Sequence, residues 1–560
     1  MTPPWALLQR VAVVVTLLGG AGLALFLDDS GLFDRLRHRF VLGVPWGTVV
    51  SVLGVLSVYL FVQGGLTHWY RPVVIPFRAW SYFAPLGMLT AGFAHAGPGH
   101  LLGNLFGTLT LAPVVEYTLG HYPRKRGASS FGSIRTNPLA RAFLLFPAGV
   151  AITGVVLTLF TLGPVIGFSG VVFAFAGFAL VRYPLGTVIA LAGSDVLGLA
   201  YRALREPTMT ASGRSVFITP WWSDIAIQGH AIGLLAGLVL GAVVLRRADG
   251  DPPSPARIWA GVILVATMQS LWAVYWYRGG TEFVLFRALG ASLVAFLAVL
   301  VTVAVAGSDR PLLTRIREIG SAGDATSEST PNSEWRKVSA RQVGVTALVL
   351  LAAVLAGPAV PVNLVTAGGE LPGDPVSVEG YEVTYAENVP NGMVSVLPVE
   401  VFGETTQVNT SGVIVRNEDR QIWLTAVPKG KLAHSGTARV VVGGVGWRDT
   451  VTAVRRGWKA VGGGTAYRVR LKATGQNRTA FTSGPAQADL QINGNNISVA
   501  PRNGTFVLVV GTENRTSTAR IPRVNGSVTI KNITFTREEN AVIARANGTR
   551  ITVVRKETYN

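Results

Sequence analysis

The chain contains no cysteine, and among its 560 residues charge is scarce. The first absence excludes disulfides, thiolate nucleophiles and cysteine-ligated metals. Charged residues make up 14% of the sequence, where a soluble domain carries about a quarter. Acids are the rarer sign, with 30 Asp and Glu against 49 Lys and Arg, a net charge of +19. No nucleic-acid-binding motif accompanies this excess. In a hydrophobic chain such an excess marks cytoplasmic loops, so no nucleic-acid partner is expected. Histidine occurs seven times, few enough that each can be placed.

What the chain does have is apolar sequence. It is 49% hydrophobic, with a mean hydropathy of +0.41 unevenly spread. Runs approaching the roughly 20 residues of a membrane span recur near 11–27, 44–63, 99–118, 141–161, 166–182, 185–201, 225–245, 258–276, 284–306 and 343–365. If all ten span, the arginine-rich segments 28–40, 121–141, 181–184, 246–257 and 307–342 share one side, which the positive-inside tendency makes cytoplasmic. Both termini then face outward. A cleaved signal peptide is the alternative for 11–27, after Arg10, but it would place Arg35, Arg37 and Arg39 outside.

From 366 onward the character changes to short alternating strands broken by turn residues, such as "SGVIVR", "QIWLTAV", "ARVVVGG", "GTFVLVVG" and "GSVTIKNITF". This predicts an antiparallel sandwich or two small β domains. The region also holds Asn-X-Ser/Thr sequons at Asn409, Asn477, Asn496, Asn503, Asn514, Asn525, Asn532 and Asn547, and none precedes it. N-glycosylation requires an outside location, which the charge bias gives independently.

The expected organisation is an extra N-terminal helix and cytoplasmic loop (1–43), a six-helix core (44–245), two more helices (246–306), a polar cytoplasmic linker (307–342), a last helix (343–365) and an extracellular β region (366–560). The fold class is therefore a polytopic α-helical membrane protein with a C-terminal all-β domain, set in the lipid bilayer of the cell membrane.

Polar groups at membrane depth are costly, so each needs a reason. They concentrate between 95 and 230: His95, His100, Asn104, Glu116, Ser169, Asp195 and His230. His100 and Asn104 are four apart and share a helix face. His230, Gly233, Gly237 and Gly241 form one stripe, and glycine at that spacing lets two helices approach closely. Ser169, Phe173 and Gly177 share a face that can receive such a stripe. Packing the two brings Ser169 to His230. A serine hydroxyl needs a base in hydrogen-bond reach, and neutral histidine suits that task. For these polar residues the bland alternative is helix packing. For Asp195 in "LAGSDVLG" no role is read beyond a bond between helices or a pathway marker.

The ordered motifs GxSG (Gly167, Phe168, Ser169, Gly170), HxxGxxxG (His230, Gly233, Gly237) and H-x4-H-x3-N (His95, His100, Asn104) resemble the rhomboid intramembrane serine proteases. The resemblance covers about 44–245. It implies a serine endopeptidase with Ser169 as nucleophile, His230 as general base, and Asn104 and His100 at the oxyanion and water site. His95 is implied as a structural histidine. Glu116 resembles a glutamate that holds the outer loop after the first core helix. The segment 202–224 resembles a lateral gate. Transmembrane proteins are the implied substrates, and no metal or organic cofactor is implied. Two departures stand out. Phe173 replaces a common tyrosine, and Phe168 places bulk beside the nucleophile, where it would crowd a substrate. Two other readings remain open: an inactive rhomboid-like protein that binds membrane helices, and a surface glycoprotein whose β domain binds a partner.

Overall fold

The structure is a computed structural model that describes residues 4–27, 31–123, 131–209, 215–247, 251–309, 338–364, 366–367, 371–392, 398–401, 403–512 and 515–560. The chain divides into two compact units. The first comprises residues 1–212, 220–276 and 284–365. The second comprises 213–219, 277–283 and 366–560. Most of the polar linker and the sequon at Asn514 lie outside the described residues.

The first unit is helical, and each of the ten apolar runs contains a helix. Among the described residues, six helices are long and apolar enough to cross a membrane: Trp5–Phe26, Pro138–Leu159, Pro184–Arg205, Ile227–Arg247, Arg287–Ala306 and Ala340–Asn363. Trp46–Val62, Ser169–Arg182 and Pro255–Met268 are shorter apolar helices. Pro98–Leu119 carries the first polar motif. The chain is an integral membrane protein. Ser169–Arg182 is the central helix, with every residue from Val171 to Val181 buried. Apolar character on all sides, without a solvent stripe, is what a helix surrounded by others requires. Ala340–Ala356 opens with a capping box between Ser339 and Gln342.

The run 258–276 is not helical throughout. Its helix ends at Met268, and the chain then forms a hairpin of strands Tyr275–Gly279 and Glu282–Leu285. The residues "YWYRGGTEFVL" explain the change. Aromatic and β-branched residues flank Gly279 and Gly280, whose φ values of 101° and 58° suit a tight turn.

The second unit is built of antiparallel sheets. An eight-stranded sheet runs from Gln476–Thr482 through Trp447–Ala460 and Thr549–Lys556 to Ser527–Ile530, with Thr437–Gly444 also paired to its long strand. A four-stranded sheet spans residues 486–520, and its Ile497, Val499, Leu508 and Val510 share one core with Trp458, Phe535, Val542 and Val554 of the larger sheet. Those two sheets form a sandwich. A further four-stranded sheet contains Tyr381–Pro390 and Asn409–Asn417. The stretch "GSVTIKNITF" is two strands, not one, because Lys531 and Asn532 take φ values of 48° and 60° and turn the chain. Within this unit Arg278 pairs with Glu404, Nε to Oε2 at 2.9 Å.

Asparagine geometry bears on the sequons. Asn503, Asn525, Asn532 and Asn547 all have positive φ, between 45° and 63°. Asparagine is favoured at such turn positions whether or not it carries a sugar. Asn409, Asn477, Asn503, Asn525, Asn532 and Asn547 are exposed, and Asn496 is half-buried.

Candidate active site

Two glycine-bearing helices set the site. In Ile227–Arg247 the stripe faces backbone: a Cβ added at Gly233 would lie 2.2 Å from the Gly170 carbonyl oxygen. One added at Gly237 would lie 2.0 Å from the Ala174 oxygen. In return, a Cβ at Gly177 would lie 2.1 Å from the Leu234 oxygen. The helices therefore meet main chain to main chain, closer than any side chain permits. Gly170, expected only as part of a motif, is the seat of Gly233.

At the end of this contact His230 Nε2 lies 2.8 Å from Ser169 Oγ. The Phe173 ring stacks on the imidazole, centroids 4.3 Å apart and planes 14° apart. His230 Nδ1 is buried and, among the described residues, has no hydrogen-bond partner. The ring is thus held by packing and by the serine, with no carboxylate bonded to it among the described residues.

Ser169 is the first residue of its helix. Its N–H belongs to the set that a helix start leaves without intrahelical partners. The preceding loop is fixed from outside. Gly167 N donates to the Ala91 carbonyl at 2.8 Å, Ala79 N to Val165 at 3.0 Å, and Arg78 Nη1 to Pro164 at 3.0 Å. Gly167 has φ 131°, and a Cβ there would meet His100 Cε1 at 2.4 Å. Only glycine lets His100 reach this loop.

His100 and Asn104 line one cavity of about 410 Å³ with Ser169, Phe173 and His230. Asn104 Nδ2 is 3.0 Å from His95 Nε2. His95 is fully buried, with its ring edge-on to His100 at 5.1 Å. Gln63 holds the His95 main chain, accepting from its N–H and donating to its carbonyl, both at 2.8 Å. Gln228 braces the turn facing Ser169: its side chain accepts from Leu162 N at 3.0 Å and donates to the Phe160 carbonyl at 3.1 Å. Sequence reading missed both glutamines. The available signal was a lone amide at the end of an apolar run (Gln63) and one two residues before His230 (Gln228).

Two expectations are corrected. Phe168 does not crowd the site; it is 1% exposed and packs against Phe93 and Phe175. As the residue before the helix, it turns its ring into the core. Glu116 does not hold the outer loop. It lies sixteen residues beyond His100 on one helix, about 24 Å along the axis, and so at the opposite end. There it accepts from Gly47 N, Thr48 N and Thr48 Oγ1 at 2.7–2.8 Å and meets His121 Nε2 at 2.5 Å. It caps the start of Trp46–Ser57. Of the expected gate segment, 210–214 lie outside the described residues.

A polytopic membrane protein with a serine–histidine pair at the ends of two glycine-packed helices defines a narrow class. Residues 78–247 match the family model described as Rhomboid domain, so the chain carries a rhomboid-like domain over that part of its length. The match runs from Arg78, which holds the Pro164 carbonyl, to Arg247 at the end of the His230 helix. No curated protein and no solved structure matches the chain.

Proposed function

We propose that this protein is an intramembrane serine endopeptidase that cleaves transmembrane substrates near the outer membrane face. The observation that carries this reading is the 2.8 Å contact between Ser169 Oγ and His230 Nε2. It sits in a cavity among membrane helices, within the matched domain. His230 removes the serine proton as Oγ attacks the scissile carbonyl, then returns it to the leaving amine. The Ser169 N–H, with His100 and Asn104 on the cavity wall, receives the negative charge that develops on the carbonyl oxygen. The acyl-enzyme is then hydrolysed by water reaching the polar cavity. His95, Gln63 and Phe173 hold the participants. The second unit lies outside the cell in this reading, where its exposed sequons are open to glycosylation.

The test is cleavage of a labelled transmembrane substrate by the reconstituted protein. Wild type cuts; Ser169→Ala and His230→Ala do not. Cleavage that survives either change removes the dyad assignment.

A further inference from the structure

We infer that Asn363 is a positioning residue for the Ser169–His230 pair, supplied by a helix that lies beyond the matched domain. The inference rests on the peptidase reading and deepens it, because it makes the last membrane helix part of the active-site frame.

Asn363 ends the helix Ala340–Asn363, while the family match stops at residue 247. It is 1% exposed. Its Nδ2 donates to the Thr161 carbonyl at 3.1 Å and to the Leu159 carbonyl at 3.4 Å. Its own main-chain carbonyl accepts from Tyr82 N at 2.8 Å and from Ser81 Oγ at 3.1 Å. Tyr82 closes the ring, since its hydroxyl donates to the same Leu159 carbonyl at 2.6 Å. One residue thus joins two segments that are far apart in the chain.

Each segment leads to one member of the pair. Arg78 and Ala79, just before Ser81, hold the Pro164 and Val165 carbonyls of the loop that enters the Ser169 helix. Thr161 lies against the start of the other helix: a Cβ added at Gly229, next to His230, would meet Thr161 Cγ2 at 2.7 Å. Thr161 also lines a small cavity with Ser169, Gly229 and His230. The last helix reaches this turn a second time, because Gln228 Nε2 donates to the Leu355 carbonyl at 2.7 Å as well as to that of Phe160.

Packing alone does not call for an amide here. Asn363 Oδ1 is buried and, among the described residues, has no hydrogen-bond partner. An unpaired buried acceptor destabilises the fold, and an apolar residue of similar shape would avoid that cost. What the amide supplies in return is the grip of its Nδ2 on two carbonyls. That grip fixes the turn beside His230 to the segment that holds the Ser169 loop, and reaction rate is steeply sensitive to such alignment.

The experiment uses the full chain in proteoliposomes. Fluorophosphonate labelling of wild-type Ser169 first tests the peptidase reading on its own. Asn363→Leu then removes the donor at nearly constant volume. It is expected to slow labelling by about tenfold or more. It should also lower kcat on a transmembrane reporter with KM little changed, the signature of a lost influence on the reacting geometry. Leu348→Ala is the comparison, a buried core residue of the same helix. It lowers the thermal midpoint and leaves the labelling rate of the folded protein unchanged. Tyr82→Phe removes only the hydroxyl bond to Leu159 and slows labelling by about twofold or more. Wild-type labelling and kcat in a folded Asn363→Leu variant overturn the inference and leave the peptidase reading intact. An equal loss of rate in Leu348→Ala also overturns it, because Asn363 would then act through stability alone. If Asn363→Leu does not fold, Tyr82→Phe decides: slowed labelling supports the inference and wild-type labelling overturns it. Absence of both labelling and cleavage in the wild type overturns the peptidase reading, and the positioning role falls with it.

Discussion

Gly233→Ala isolates the link between helix packing and the serine–histidine pair. The added Cβ falls 2.2 Å from the Gly170 carbonyl oxygen, where a tolerable C···O contact is about 3.3 Å. Backbone cannot yield as a side-chain tip does, so the His230 helix must retreat by about 1 Å. That movement carries the 2.8 Å Ser169–His230 contact to about 3.8 Å, past the limit of about 3.2 Å for a hydrogen bond. Misplacement of reacting groups on this scale costs roughly 10²-fold in rate, or about 2.7 kcal/mol of activation free energy. Overpacking also removes about 1–3 kcal/mol of stability. The assay is the rate of fluorophosphonate labelling at Ser169, read beside the thermal unfolding midpoint in detergent. Gly149→Ala is the matched control, because nothing lies within 4 Å of a Cβ there. It should label as the wild type does. Wild-type labelling by a folded Gly233→Ala variant would refute the claim that this contact sets the pair.

Further expectations follow from the same geometry. Phe173→Tyr keeps the ring stacked on His230 and retains cleavage, whereas Phe173→Ala loses about 0.5–1.5 kcal/mol of stacking and slows it; substrate turnover checks both. Glu116→Ala leaves the buried donors of Gly47, Thr48 and His121 unsatisfied and costs about 3–5 kcal/mol, seen as a lowered thermal midpoint. In the second unit, burial raises the Glu387 pKa, but hydrogen bonds from Lys429, Tyr467 and Tyr385 outweigh it and leave it below the ordinary 4.5. A depressed carboxylate stabilises the fold above 4.5, and that contribution is lost as pH falls through the lower folded value. Glu387→Gln should remove this part of the acid sensitivity, measured by unfolding of the full chain at stepped pH.

The glycine stripe and the polar residues were legible because each breaks an apolar background at helical spacing. From Gly233, Gly237 and Gly177 alone, the meeting of Ser169 and His230 followed. The hairpin after Met268 was hidden, since "YWY" is as apolar as the helix before it and only the paired glycines signal the turn. Glu116 was placed at the wrong end of its helix because a motif carries order along the chain without depth. The bracing by Gln63 and Gln228 depends on main-chain carbonyls brought from far along the sequence, and no local pattern records those. Four sequon asparagines have a second explanation that only the backbone reveals, namely their left-handed turns.

The most direct test of the central claim is where an active-site-directed fluorophosphonate attaches to the reconstituted protein, mapped by mass spectrometry. The account predicts a single phosphonylated residue, Ser169, with the adduct lost in His230→Ala. An adduct on another serine, or labelling of Ser169 at the same rate without His230, would contradict it.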